Sequence, residues 1–253
     1  MYLYSALNDD IYLGKMASSL NYPQKSPSHL TVTMRADKDN QMYYLVELLR
    51  NRLGQYISEF NNEYGRCFKI EDFDSKFLDN KDLADVVSFF VYNFLYLFEV
   101  ERKLKSDITQ NEFARLRTLD VIFNLCLIID ETLKNAELRE IGKLGANPHY
   151  IRHGILWLVC EHWQWMKHRE LEQFWGQLTL NTQEPDQVIP TLLAKKELYN
   201  NHMVKGEIFD LLLSYKLRNY GGHNIKQQFV FSNSYQAIIK QLIFALITSI
   251  EVL

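Results

Sequence analysis

Proline and glycine are scarce in this chain, at 5 and 10 of 253 residues. Pro23, Pro27, Pro148, Pro185 and Pro190 all lie outside the long stretches of periodic hydrophobicity. Uninterrupted helices require that placement, because an interior proline removes a backbone donor and clashes with the preceding turn. Cysteine is scarcer still, at 3 residues. Cys67, Cys126 and Cys160 are odd in number and widely spaced, and the last two sit in apolar runs. They read as reduced thiols of a cytoplasmic protein, not as a disulfide framework. Neither sign of charge dominates: 28 Lys and Arg against 31 Asp and Glu leave −3, so any polyanion site must be a local patch. Gly-x-Ser-x-Gly, Gly-Lys-Ser/Thr and Gly-x-Gly-x-x-Gly are all missing, which disfavours serine hydrolases of the nucleophile-elbow type, P-loop enzymes and dinucleotide-binding folds. The most apolar stretch, residues 83–100, contains Asp85, Ser88, Asn93 and Glu99 and reads as a buried helix, so no membrane span is expected. Asp9 and Asp10 interrupt the N-terminus before a hydrophobic core can form, and no secretory leader is expected either.

Hydrophobic residues make up 47% of the chain and aromatics 13%, enough to build a sizeable core without disulfides or a structural metal. Apolar residues at 42, 45, 46, 49, 53, 56, 57 and 60 follow helical spacing and predict a first amphipathic helix ending near Gly65. Asn80 is placed to cap a second helix, apolar on nearly all sides and therefore central, running to about Lys105. Thr109-Gln-Asn-Glu112 has capping-box spacing before a third helix that runs toward Gly142. Asn147-Pro148 opens a fourth helix expected to carry all four tryptophans (157, 163, 165, 175). Residues 191–220 read as one or two helices interrupted near Gly206, and residues 234–253 as a terminal helix. Leu30-Thr-Val-Thr-Met is a candidate short strand. The expected fold class is all-α, a multi-helix bundle with a short irregular or strand-containing N-terminal arm. The parts are an arm over 1–40, an N-terminal helical part over 41–145 and a C-terminal helical part over 146–253, together one compact unit.

Three groups of residues invite a chemical reading. His149 and His153, at i and i+4, share a helical face and have the spacing of two metal ligands, although Tyr150 stands where a zinc-protease helix carries glutamate. Glu71, Asp72 and Asp74 lie in a polar link and read as solvated charges. The third group closes the apolar helix Phe209-Asp-Leu-Leu-Leu-Ser-Tyr-Lys-Leu and continues Arg218-Asn219-Tyr220-Gly221-Gly222-His223. On an unbroken helix Arg218 and His223 would point about 140° apart. The glycine pair permits a left-handed turn that brings the imidazole back toward the guanidinium. Arginine holds a phosphate bidentately, and histidine is the side chain whose ordinary pKa suits proton transfer near neutrality.

Arg218, Asn219 and His223 resemble the Arg-x4–6-His signature of the HEPN superfamily, in which the residue after Arg is commonly polar and often Asn. The resemblance spans about the last third of the chain. It implies a helical bundle and, in many members, metal-independent RNA cleavage in toxin–antitoxin, CRISPR-associated and other antiviral systems, with two motif copies meeting across a dimer. It further implies Arg218, Asn219 and His223 as catalytic residues; Lys216, Tyr220 and Lys226, in and beside the motif, are the expected contacts to single-stranded RNA. Members paired with nucleotidyltransferase antitoxins carry Tyr two residues after the His; Ile225 stands there instead, so regulation by tyrosine modification is not expected. Between Lys195 and Lys226, six cations (Lys195, Lys196, Lys205, Lys216, Arg218, Lys226) face Glu197, Glu207 and Asp210, the most basic neighbourhood of the chain. No cofactor or metal is called for. A homodimer is expected, because one imidazole cannot easily serve both the attacking hydroxyl and the leaving oxygen, and a two-fold axis supplies the second. The terminal helix or the tryptophan-bearing helix is the expected source of its apolar patch, and an antitoxin or defence-system partner fits the same class. Two alternatives stay open: a non-catalytic helical module binding protein or nucleic acid, and a metalloenzyme built on His149 and His153.

Overall fold

The computed structural model describes residues 33–106, 112–142, 152–177, 196, 205–221 and 235–253. Eight α-helices occur among them: α1 (Thr33–Tyr64), α2 (Ile70–Phe73), α3 (Ala84–Ser106), α4 (Glu112–Ile141), α5 (Arg152–Leu156), α6 (His168–Gln177), α7 (Gly206–Gly221) and α8 (Tyr235–Ile250). The wider turns of a π-helix continue α2 over Asp74–Leu78 and α5 over Trp157–His162, and a single 3₁₀ turn, Lys81–Leu83, leads into α3. No strand occurs among the described residues, and the all-α expectation holds.

Helix ends follow the local chemistry of the sequence. Gly65, at φ +63, supplies the left-handed residue that ends α1, and the Arg66 N–H reaches back to the Asn61 carbonyl at 3.1 Å. Gly142, at φ +65, ends α4, its own N–H bonding the Leu138 carbonyl at 2.9 Å. The Asn80 side chain accepts from the Asp82 N–H at 3.1 Å, the expected cap.

Four expectations are corrected. Residues 33–40 form the first turns of α1, so Thr33 and Met34 are helical and not part of a strand; Leu30–Val32 and the remaining arm lie outside the described residues. The packed stripe Leu45, Leu49, Leu53 and Phe60 nucleates this helix, and propagation through polar residues costs little once it exists. The link after α1 is helical, because Phe73 and Phe77, both fully buried, anchor it against Phe90 of α3. The tryptophans do not share one helix: Trp157 is in the π-helical turn, Trp163 and Trp165 flank Gln164, whose φ of +52 breaks the helix, and Trp175 is in α6. Thr109 and the Asn147-Pro148 start lie outside the described residues.

α8, and not α3, is the helix buried on nearly all sides. α3 leaves Phe89 and Tyr92 exposed, whereas in α8 Ile238, Ile239 and every residue from Gln241 to Ile250 are buried. α8 packs against α4, α7 and α1, so the parts assigned to 41–145 and 146–253 share one core. Its apolar residues are used inside the chain and cannot furnish a dimer patch. α3 and α4 form an antiparallel hairpin in which the Asn93 amide donates to the Val121 carbonyl at 3.1 Å and Asn124 donates to Asn93 at 3.0 Å. α5 lies close on α4: a Cβ at Gly154 would stand 2.9 Å from the Cβ of Leu133, so only glycine allows this approach.

Candidate functional site

α7 begins at Gly206 and is buried from there through Ser214, because it packs on both α4 and α8. Its last turn reaches the surface, with Leu217 buried, Arg218 one quarter exposed and Asn219 exposed. The Arg218 guanidinium donates from Nη1 to Asp130 Oδ2 of α4 at 2.5 Å. Asp130 is 8% exposed and also receives Lys134 at 2.7 Å, while Lys134 reaches Glu131 at 2.8 Å. Arg218, Asp130, Cys126, Ser214 and Tyr215 border a cavity of about 10 Å³, room for at most one water. Burial pushes the Cys126 thiol well above its ordinary pKa, the nearby Arg218 charge opposing the shift only in part, so this sulfur is an inert packing group.

The other residues named from the sequence fall as follows. Lys216 stands over the Trp175 ring, 4.0 Å from its centroid, and Trp175 in turn lies 4.4 Å from Tyr215. Two helical positions separate Lys216 from Arg218, so the two cations point roughly 160° apart and occupy different faces. Tyr220 lies on the last turn of α7, its side chain outside the described residues, as are His223 and Lys226. His149 and the His153 side chain are likewise outside them. Of the remaining histidines in that stretch, His162 bonds Glu140 at 2.6 Å and His168 lies 3.5 Å from Glu161. No group of three metal-ligating side chains occurs among the described residues.

The basic neighbourhood is dispersed among several partners. Lys196 is buried, Lys205 stands over Trp165 at 3.9 Å, Lys216 lies on Trp175 and Arg218 is tied to Asp130. Among the described residues, the cations of this stretch therefore do not gather as one field around Arg218.

A second polar cluster went unread in the sequence. The Lys196 ammonium donates to Glu63, to the Tyr64 hydroxyl at 2.7 Å and to Gln241, and lies 3.5 Å from Asp210. The Tyr64 hydroxyl donates to Asp210, so α1, α7 and α8 meet at this group of side chains. The available signal was Asp210 itself, an acid set inside Ile208-Phe-Asp-Leu-Leu-Leu. Burial pushes the Asp210 carboxyl up to about 7, with Lys196 and the Tyr64 bond opposing; the same burial raises Tyr64.

This sets the sign of a pH dependence. A folded-state pKa above the unfolded one favours folding at low pH, and the benefit fades as pH rises through about 7. Unfolding free energy is expected to increase by about 1 kcal/mol between pH 8 and pH 6. Asp210→Asn, which keeps the shape and never ionises, should flatten that slope in urea titrations; an unchanged slope would assign the dependence to other groups.

No family model, curated protein or solved structure matches the chain. Among the described residues no helix is long and apolar enough to cross a membrane.

Proposed function

We propose that the protein is a metal-independent endoribonuclease of HEPN type acting on single-stranded RNA as a toxin or antiviral-defence effector in the cytoplasm. The ribose 2′-hydroxyl attacks the adjacent phosphorus while one His223 takes its proton, the P–O5′ bond breaks, and the 5′-oxygen leaves with a proton given by the protonated His223 of the second copy, producing a 2′,3′-cyclic phosphate. Arg218 stabilises charge on the non-bridging oxygens and Asn219 orients the phosphate. Tyr220 and Lys226 contact the RNA and a homodimer supplies the second motif, while Lys216, stacked on Trp175, stands on a different face of α7 from Arg218. The observation that carries this reading is the position of Arg218. It stands on the emerging last turn of a buried helix, fixed by Asp130 at 2.5 Å and followed by an exposed amide side chain, a preorganised cation at a helix end.

The test is cleavage of mixed-sequence single-stranded RNA in EDTA with analysis of the ends. Products with 2′,3′-cyclic phosphate are expected, with a loss of roughly 10²–10⁴ in rate for His223→Ala at unchanged melting temperature. No cleavage by the wild type, or cleavage that EDTA abolishes, would overturn the reading. The Asp130 contact itself favours a second reading, in which Arg218 ties α7 to α4 within a non-catalytic binding module. Under that reading Arg218→Ala lowers stability and no RNA is cut at all.

A further inference from the structure

The α3–α4 hairpin turns its inner face to the core and carries large apolar side chains on its outer seam. Phe89 is 38% exposed, Tyr92 46% and Leu127 39%. They fall on two matched stripes, Asp85, Phe89 and Tyr92 on α3 and Asn124, Leu127 and Glu131 on α4, because i, i+3, i+4 and i+7 positions share a helical face. Phe89 and Leu127 line opposite walls of a groove of about 440 Å³ between the two helices.

The charge around this groove has a sign. Asp82, Asp85 and Glu131 border it against Lys81, and Lys134 balances Glu131 in part at 2.8 Å. Further along α4 the exposed Asp120 and Arg117 stand beside each other and add no net charge. An acidic border repels a nucleic acid or an anionic lipid surface, so the RNA of the proposed activity does not fit here. It complements a helix that carries an apolar stripe flanked by lysine or arginine, whose methylene stems lie on apolar surface while the charged heads reach the acids.

We infer that the outer seam of the α3–α4 hairpin is a docking site for a cationic amphipathic helix of a partner protein. That helix lies along the seam as a third member of the hairpin, its apolar stripe on Phe89, Tyr92 and Leu127 and its cations against Asp82, Asp85 and Glu131. From Asp85 to Tyr92 the seam runs about 10 Å, so two to three turns of a partner helix cover it. The inference does not depend on the nuclease reading, because none of these residues belongs to the Arg218 motif.

The experiment titrates the full chain with a fluorescent 18-residue helical peptide of leucine and lysine, leucine at i, i+3 and i+4 spacing, beside a counterpart with glutamate for lysine. Saturable one-to-one binding of the lysine peptide alone is expected, weakening with salt. Phe89→Ser and Leu127→Ser should each weaken it at least tenfold, with melting temperatures somewhat lowered because each side chain is also partly packed. Asp85→Lys with Glu131→Lys should weaken it by a similar factor without touching the apolar wall. Three results would each overturn the inference: no binding of the lysine peptide, equal binding by all variants, or a wild-type dimer that Leu127→Ser dissociates, which would assign the seam to a second copy.

Discussion

Lys196→Met is expected to lower the unfolding free energy by roughly 3–5 kcal/mol, the cost of removing one partner from a buried charged group. The lysine side chain is 8% exposed, and its ammonium serves α1 through Glu63 and Tyr64, α8 through Gln241 and α7 through Asp210. Methionine fills the space of the stem and removes the charge, so the fully buried Asp210 must either take up a proton or stand ionised beside the Tyr64 hydroxyl alone. Urea denaturation measures the loss. The double variant Lys196→Met/Asp210→Asn should recover most of it, since a neutral amide keeps a partner in Tyr64 and needs no counter-charge. A double variant no more stable than Lys196→Met alone would show that the lysine acts by packing.

The second large effect belongs to Phe90. Its ring is fully buried and lies 5.3 to 5.7 Å from those of Phe73, Phe77 and Phe94, so it joins the π-helical segment after α2 to the body of α3. Phe90→Ala is expected to cost roughly 3–5 kcal/mol, from lost transfer free energy together with the cavity left among three aromatic neighbours. Phe90→Leu, which refills part of that volume, should cost less than half as much. Thermal melts of both variants check this, and equal losses would point to ring geometry as the controlling factor in place of volume.

Much of the fold was legible because its signals are local. The stripe through Leu45, Leu49 and Leu53, the Asn80 cap and the stops at Gly65 and Gly142 each need only a few neighbouring residues to act. What stayed hidden depends on residues far apart in sequence. Asp130 and Arg218 are 88 positions apart and Tyr64 and Asp210 are 146, so nothing near either acid announces its partner. The π-helical turns at Asp74–Leu78 and Trp157–His162 have no periodic signature of their own. The exposed face of α3 was hidden because phenylalanine and tyrosine look alike in a pattern whether they point to the core or to a groove. Arg218 was legible as a cation at a helix end; that an acid already holds it was not.

The central position of α8 sets a timetable for synthesis. The C-terminal end of α1, through Phe60 and Tyr64, and a face of α4 close on a helix that starts at Tyr235. At about 5–20 residues per second, α1 leaves the ribosome roughly ten to thirty seconds before its packing partner. During that interval Phe60 and Tyr64 have no Phe244 to meet, and the face of α4 that packs on α8 is open. The nascent chain therefore keeps this apolar surface open to water until α8 arrives.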